Sequence, residues 1–164
     1  MKNRKVTLSI GIPAFNEEAN IGYLLDDLLR QKQDNYILKE IIVSSDGSSD
    51  NTVKIAKSYS NNKIKVLANL DRKGQSYRQN QIIALTETDI LVLLNADILI
   101  SDSEFIKKLV APIINDKVDL TTPILNPIKG TGFFEEVLNT SRKIKEYIYE
   151  KYQDGNNLYT CYGA

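Results

Sequence analysis

Apolar residues recur along this chain at two different spacings, every second residue in some stretches and every third or fourth in others. The first stretch, residues 5–13, has apolar side chains at positions 6, 8, 10 and 12 and predicts a strand that ends near Pro13. From Ile21 onward they fall at positions 21, 24, 25, 28 and 29, which predicts a helix with one buried face and Asn20 as its N-cap. The chain therefore begins with a strand, a loop and a helix.

The same unit recurs through the middle of the chain. Further strands are predicted at residues 38–45, 63–69 and 90–94, and a fifth strand at 118–124. Helices are predicted at residues 52–59, 76–87 and 105–114. Strands that alternate with helices, joined by connections too long for hairpins, are typical of α/β proteins. We predict a mainly parallel twisted sheet with helices on both faces and right-handed crossovers.

Several residues at the predicted helix ends have the chemistry of caps and breakers. Ser49 or Asp50 is expected to cap the helix at 52–59. Ser101 and Glu104 have the spacing of a capping box before the helix at 105–114, which Pro112 is expected to end or kink.

Beyond the fifth strand the pattern predicts a long helix at 130–153 and a last strand at 158–164. A chain of 164 residues has the usual length of one domain. We therefore expect residues 1–164 to form a single domain.

Composition restricts the chemistry of any site. The 21 basic residues balance the 21 acidic ones, so no global field favours nucleic acid. The absence of histidine removes the usual general base and every imidazole metal site, which leaves carboxylates and metal ions for catalysis. Cys161 is the single cysteine and no apolar run is long enough to cross a bilayer, so we predict a cytoplasmic protein.

Polar residues cluster directly after each predicted strand. Residues 13–18 follow the first strand, Asp46 the second, the loop with Lys73 the third, and Asn95, Ala96 and Asp97 the fourth. In open parallel sheets, ligands bind beyond the carboxyl ends of the strands, so these residues are expected to converge. Two carboxylates at one rim indicate a site for a nucleotide and a divalent metal.

Other phosphate-binding signatures are missing from the sequence. It has neither G-x-G-x-x-G after the first strand nor G-x-x-x-x-G-K-[ST], which argues against dinucleotide and P-loop sites. A phosphate held without a glycine-rich loop needs a metal or basic side chains. Asp97 offers an oxygen ligand for Mg²⁺ or Mn²⁺, and Lys73 and Arg78 lie in the neighbouring loop and helix.

The ordered motifs carry a family resemblance. Pro13–Glu18, Val43–Thr52, Lys73–Gly74 with Arg78, and Asn95–Asp97 together resemble the family 2 glycosyltransferases, which have a Rossmann-like nucleotide-binding architecture called the GT-A fold. The resemblance covers about the first two-thirds of the chain. Its most specific part is the segment around Asp46, which is similar to the family's V-D-D-G-S-x-D-x-T.

The resemblance implies roles for particular residues. Asp46 would accept a hydrogen bond from the base of a nucleoside-diphosphate sugar, and Asp97 would bind the metal that bridges the diphosphate. Asn95 stands where the family commonly has aspartate, as a neutral oxygen ligand or ribose contact. The remaining implied donor-binding residues are Pro13, Ala14, Phe15, Glu17, Lys73, Arg78 and Ala96.

We therefore expect a metal-dependent inverting glycosyltransferase, or its donor-binding part. The donor would be a uridine diphosphate sugar ahead of a guanosine diphosphate sugar, and the acceptor a hydroxyl of a glycan or lipid-linked molecule. The family's catalytic base is a carboxylate well downstream, so we expect it beyond Ala164, in an acceptor side that this chain lacks. Peripheral association with the cytoplasmic face of a membrane is a further expectation.

Two other functions fit parts of the sequence. A nucleotide-sugar-binding module without turnover is favoured by Asn95 and by the missing base. A sugar-phosphate nucleotidyltransferase shares the nucleotide-sugar chemistry and the α/β architecture. It would need a glycine- and arginine-rich loop after the first strand, where this chain has Pro13–Glu18.

Overall fold

The computed structural model describes residues 5–123 together with Thr140, Ile144 and Tyr147. The chain divides into two compact units, with the boundary between Lys117 and Val118. All of the strands and helices described below lie in the first unit. Apart from the three isolated residues, the helix predicted at 130–153 and the strand predicted at 158–164 lie outside the described residues, and the single-domain organisation stays a prediction.

Four strands alternate with four helices in the first unit, as the apolar spacing predicts. The strands are β1 (Val6–Ala14), β2 (Tyr36–Asp46), β3 (Ile64–Asn69) and β4 (Ile90–Leu93). The helices are α1 (Ile21–Leu29), α2 (Thr52–Ser58), α3 (Gln75–Leu85) and α4 (Phe105–Ile114). Within the described part of the chain, no helix is both long enough and apolar enough to span a bilayer.

The strands form one sheet with the order β3-β2-β1-β4, and every neighbouring pair is parallel. Parallel pairing puts the carboxyl ends of all four strands on the same edge. The order also places β1 between β2 and β4, so the loop after β1 lies between the loops that carry Asp46 and Asp97. The predicted parallel α/β architecture is confirmed.

Helices cover both faces of the sheet. Leu8, Ile10 and Ile12 of β1 belong to an apolar core that also includes buried residues of α1 and α4. A side chain at Gly11 would point to the opposite face, where Ile82 of α3 lies against the glycine. Alternate residues of a strand point to opposite faces, so α3 packs on one side of β1 while α1 and α4 pack on the other.

The predicted fifth strand is wrong over the described part of its range. Residues 118–123 are not in a strand, and Val118 and Leu120, whose alternation suggested one, are 44% and 64% exposed. Asp116 precedes them with a φ of 53°, in the left-handed region that ends α4 with a turn. Alternating apolar residues specify a strand only where one face becomes buried, and that condition is missing here.

The predicted helix-end features hold only in part. The capping box of Ser101 does not form, because Asp102 accepts the backbone N–H of Glu104 at 2.8 Å and the Glu104 carboxylate pairs with Lys32 at 3.1 Å. Pro112 lies inside α4, which continues to Ile114, so Pro112 does not end the helix, and a kink there stays a prediction. Asn20 occupies the N-cap position of α1, but its side chain makes no capping hydrogen bond and donates to the Glu17 carboxylate at 2.7 Å.

Candidate active site

The loops after β1 and β2 hold each other in place through reciprocal hydrogen bonds. Asn16 has a φ of 54°, and its side-chain oxygen accepts the backbone N–H of Ser49 at 2.9 Å. The Asp50 carboxylate accepts the N–H of Glu18 at 2.9 Å, and the Glu18 carboxylate accepts the N–H of Asn51 at 2.9 Å. Much of the polar sequence in the two motifs therefore stabilises the loops themselves.

Asn51, and not the predicted Ser49 or Asp50, occupies the N-cap position of α2, but the Asp50 carboxylate accepts the N–H of Thr52, the first residue of the helix, at 2.9 Å. Burial would raise the pKa of the Asp50 carboxyl, but hydrogen bonds from Thr52 and Glu18 lower it below the ordinary value of 3.8. This carboxylate is therefore a structural anion of the loop.

Asp46 ends β2 and organises the loop that follows β3. Its carboxylate is 4% exposed and accepts the backbone N–H of Lys73 at 2.7 Å and of Gly74 at 2.9 Å. Gly74 has a φ of 92°, in the region that favours glycine. Burial would raise the pKa of Asp46, but these two hydrogen bonds and the Arg78 guanidinium hold the pKa below its ordinary value of 3.8.

Arg78, on the first turns of α3, supplies the third donor to Asp46. Its Nε lies 2.8 Å from Asp46 Oδ1, and a terminal nitrogen donates to the Asp71 carboxylate at 2.8 Å and to the Asp71 carbonyl. Arg78 is 1% exposed, so it lies beneath the loop rather than on its surface. Hydrogen bonds from Arg78 and Lys73 lower the pKa of Asp71 to about 2. The guanidinium thus ties the end of β2 to the β3–α3 loop.

The end of β4 carries an amide and an exposed carboxylate. The Asn95 side-chain oxygen accepts a hydrogen bond from Gln75 Nε2 at 2.7 Å. Asp97 is exposed, and no hydrogen bond or ion pair joins its carboxylate to another described residue. The described residues contain no group of three or more acidic, cysteine or histidine side chains arranged to hold a metal.

The ends of β1, β2 and β4, together with the β3–α3 loop, line a cavity of about 300 Å³. From the predicted site it contains four residues at the end of β1 and in the loop after it, Asp46 at the end of β2, and the segment Asn95–Asp97 after β4. Its full lining is Pro13, Ala14, Phe15, Glu17, Asp46, Arg72, Gly74, Gln75, Asn95, Ala96 and Asp97. The structure therefore brings most of the predicted residues together at one edge of the sheet.

Lys73 and Arg78 are outside that lining. The Lys73 ammonium pairs with Asp71 at 2.9 Å and lies 4.7 Å from the centre of the Tyr77 ring. Arg78 is buried and does not line the cavity itself, but it donates a hydrogen bond to Asp46, which does.

Arg72, Gly74 and Gln75 line the cavity without having been singled out from the sequence as binding residues. The carbon atom of the Arg72 guanidinium lies 3.9 Å from the centre of the Phe15 ring. The sequence shows that a polar loop follows β3, but not which of its side chains point inward. The hydrogen bonds of Asp46 to Lys73 and Gly74 decide that orientation.

The arrangement suits an elongated ligand with a planar ring at one end and negative charge at the other. Asp46 ends β2 and Asp97 follows β4, so the two carboxylates lie on either side of the end of β1, which Phe15 follows. An aromatic face can stack on a nucleobase, and an exposed carboxylate with free oxygens can share a divalent cation with phosphates.

Comparison with protein families agrees with this geometry. The family described as Glycosyl transferase family 2 matches residues 9–164. The chain belongs to this family. The resemblance noted in the ordered motifs is thereby confirmed, and the nucleotidyltransferase alternative is not supported.

One curated relative is the 4,4'-diaponeurosporenoate glycosyltransferase of Staphylococcus aureus (strain USA300), which is 34% identical over 93 residues. The match covers 56% of this chain and 24% of that protein. The chain therefore matches about a quarter of the length of this relative, and the activity of a whole protein belongs among the proposals below.

Solved structures of glycosyltransferases share the fold. Glucosyl-3-phosphoglycerate synthase from Mycobacterium tuberculosis, in complex with Mn²⁺, uridine diphosphate and phosphoglyceric acid, is 27% identical with a TM-score of 0.55, and the match covers 66% of this chain and 39% of that one. S. aureus TarS 1-349, in complex with uridine diphosphate, is 26% identical with a TM-score of 0.57, over 66% of this chain and 32% of that one.

Proposed function

We propose that this chain forms the donor-binding part of a metal-dependent, inverting glycosyltransferase that uses a nucleoside-diphosphate sugar. The observation that carries the proposal is that Phe15, Asp46 and Asp97 line the same cavity. Family membership supplies the reaction class. The cavity supplies Phe15 and Asp46 for the base of the donor, and Asp97 for the metal bound to its diphosphate. The acceptor would be a hydroxyl group of a glycan or lipid-linked molecule.

Asp46 is the group we assign to the base. An ionised carboxylate has room for about four hydrogen bonds, and three donors from the protein occupy Asp46, two on Oδ1 and one on Oδ2. Oδ2 therefore keeps capacity for an N–H of the base. Uracil and guanine both offer such a donor, and the uridine diphosphate bound to the two solved relatives favours a uridine diphosphate sugar.

Asp97 is the residue we assign to the divalent metal. Solved relatives hold Mn²⁺ or Mg²⁺ with uridine diphosphate, and Asp97 fits such an ion because its exposed carboxylate has no cationic partner among the described residues. Mg²⁺ is commonly bound through one or two carboxylates plus substrate phosphates. When bound, the ion would stabilise the negative charge of the departing diphosphate.

In inverting transfer, a carboxylate takes the proton of the acceptor hydroxyl while that oxygen attacks the anomeric carbon. Among the described carboxylates of the cavity, Asp46 is neutralised by Arg78, Glu17 accepts from Asn20, and Asp97 is assigned to the metal. The predicted base lies outside the described residues. The predicted cytoplasmic location and membrane association likewise stay predictions, which fractionation of cells would test.

Calorimetric titration with uridine diphosphate tests the proposal. We expect Mn²⁺ to strengthen binding to the unmodified chain, and Asp97→Ala to remove that strengthening while leaving metal-free binding within about twofold. The loss of an ion shared with the diphosphate affects only the metal-dependent part of the binding energy.

Glu87→Ala is the matched control, because Glu87 is an exposed carboxylate just before β4, at the opposite end of that strand from Asp97. It should respond to Mn²⁺ as the unmodified chain does. If Asp97→Ala still gains the full factor from Mn²⁺, the metal ligand is elsewhere.

A further inference from the structure

Arg72 is the cation of the β3–α3 loop that lines the cavity. Its charged neighbours are engaged elsewhere: Lys73 pairs with Asp71, and Arg78 is buried between Asp71 and Asp46. No carboxylate among the described residues pairs with Arg72. Its one described side-chain interaction is the contact with the Phe15 ring, with 3.9 Å from the guanidinium carbon to the ring centre.

Hydrogen bonds hold the backbone on both sides of Arg72, whereas its exposed side chain has only the ring contact among the described residues. Asp46 holds the N–H groups of Lys73 and Gly74, and Arg78 holds the carbonyl and carboxylate of Asp71. An exposed cation–π contact is weak, and a long arginine side chain can move away from a ring without moving its backbone. Arg72 therefore lies over Phe15 on a loop held by hydrogen bonds, and its planar head group is able to move away from the ring.

We infer that Arg72 covers the nucleobase of the donor, so that the base lies between the guanidinium and the Phe15 ring. At 3.9 Å the two groups are in van der Waals contact, and the guanidinium must rise by about the thickness of one aromatic ring to admit a base. The base then stacks on both planar groups, and the cation–π contact is transferred from the Phe15 ring to the base.

This inference rests on the proposed function and adds to it a residue that determines the strength and the kind of base binding. Stacking does not read hydrogen-bond donors, so Arg72 contributes affinity for any base that fits. The Asp46 carboxylate, which lines the same cavity, selects bases with an N–H on the facing edge. Arg72 therefore recognises the planar shape of the base, and Asp46 recognises its hydrogen-bond donor.

The test is calorimetric titration of Arg72→Ala, Arg72→Lys and the unmodified chain with uridine monophosphate, uridine diphosphate and pyrophosphate, all with Mn²⁺. Loss of base stacking predicts about a five- to hundredfold weaker binding of both nucleotides to Arg72→Ala. Pyrophosphate binding should not change. Arg72→Lys keeps the charge without the planar head group, so it should lose most of the same affinity.

Arg30→Ala serves as the control, because Arg30 follows α1, its side chain is 71% exposed, and it pairs with Asp27 away from the cavity. It should bind all three ligands as the unmodified chain does. Circular dichroism of each variant checks that the exposed substitutions leave the fold intact.

Three results would overturn the inference while leaving the proposed function in place. They are unchanged nucleotide affinity in Arg72→Ala, a loss that grows from uridine monophosphate to the diphosphate, and tighter binding. The second would mean that Arg72 pairs with phosphate, and the third that it merely blocks the base site. If the unmodified chain binds no uridine diphosphate with Mn²⁺, the proposed function fails, and the inference fails with it.

Discussion

At the scale of single residues, the buried pair of Asp46 and Arg78 has two consequences that separate mutations can distinguish. The Asp46 carboxylate is a wall of the cavity and also the acceptor for the loop that carries Arg72 and Gln75. Its side chain is 6% exposed and that of Arg78 is 2% exposed, so both charges depend on each other for compensation. A change at Asp46 therefore affects stability and binding together.

We expect Asp46→Asn to lower the free energy of unfolding by about 3 kcal/mol, because the Arg78 charge stays buried without its full counter-ion. Nucleotide binding should weaken about ten- to hundredfold with or without metal, since the base loses a charge-assisted acceptor. Urea unfolding and calorimetry measure the two effects.

A double-mutant cycle with Arg78→Met supplies the control for stability. Removing both charges should cost less than the sum of the single changes, because neither charge is then left unpaired. Additive costs would show that the pair does not couple, and unchanged nucleotide affinity in Asp46→Asn would remove Asp46 from the base site.

At the scale of elements, the spacing of apolar residues predicts the fold well because both faces of the sheet become buried. Ile10 and Ile12 alternate with Gly11, and that alternation separates the face under α1 and α4 from the face under α3. The same reasoning fails at 118–123, where Val118 and Leu120 stay exposed. Periodicity predicts an element, but burial by a partner element decides whether it forms.

The close packing of α3 on β1 depends on the missing side chain of Gly11. A Cβ there would lie 2.5 Å from Ile82 Cγ2 and 2.9 Å from Leu93 Cδ2. We expect Gly11→Ala to lower the free energy of unfolding by about 1–3 kcal/mol through overpacking, measured by urea denaturation.

Ile82→Ala should relieve most of this strain, so the double variant should be about as stable as Ile82→Ala alone. Gly22→Ala is the matched control, because its Cβ would meet Ile55 Cγ2 at 3.5 Å, an ordinary contact, and alanine favours the helix. If Gly11→Ala is as stable as Gly22→Ala, α3 can move away from the sheet without cost.

At the scale of the whole molecule, the sequence predicts where the site lies better than how it is built. The carboxyl ends of parallel strands must meet, so Glu17, Asp46 and Asp97 could be placed at one edge from their positions in the chain. The orientation of Arg72 and Gln75 could not, because it depends on hydrogen bonds between Asp46 and a loop 27 or more residues away. Long-range polar contacts leave no periodic pattern in a sequence.

Every described residue that lines the cavity lies between Pro13 and Asp97, and the apolar core runs from Leu8 to Val110 with packed neighbours as far as Ile114. The described core and the described lining of the cavity therefore lie in the unit that ends at Lys117. We expect a chain of residues 1–117 to unfold in a single cooperative transition in urea and to bind uridine diphosphate with Mn²⁺ within about twofold of the 164-residue chain.

A shorter chain that ends at Ser101 provides the contrast, because it lacks α4 and with it the fully buried Ile106 and Val110. Removing two buried aliphatic side chains and the helix that carries them exposes apolar surface of the α1 face, so this chain should fail to fold cooperatively. If the chain of residues 1–117 also lacks a cooperative transition, residues beyond Lys117 are required for folding, and the prediction of one domain over residues 1–164 gains support. Retained folding and binding would instead show that the donor site is complete within the first unit.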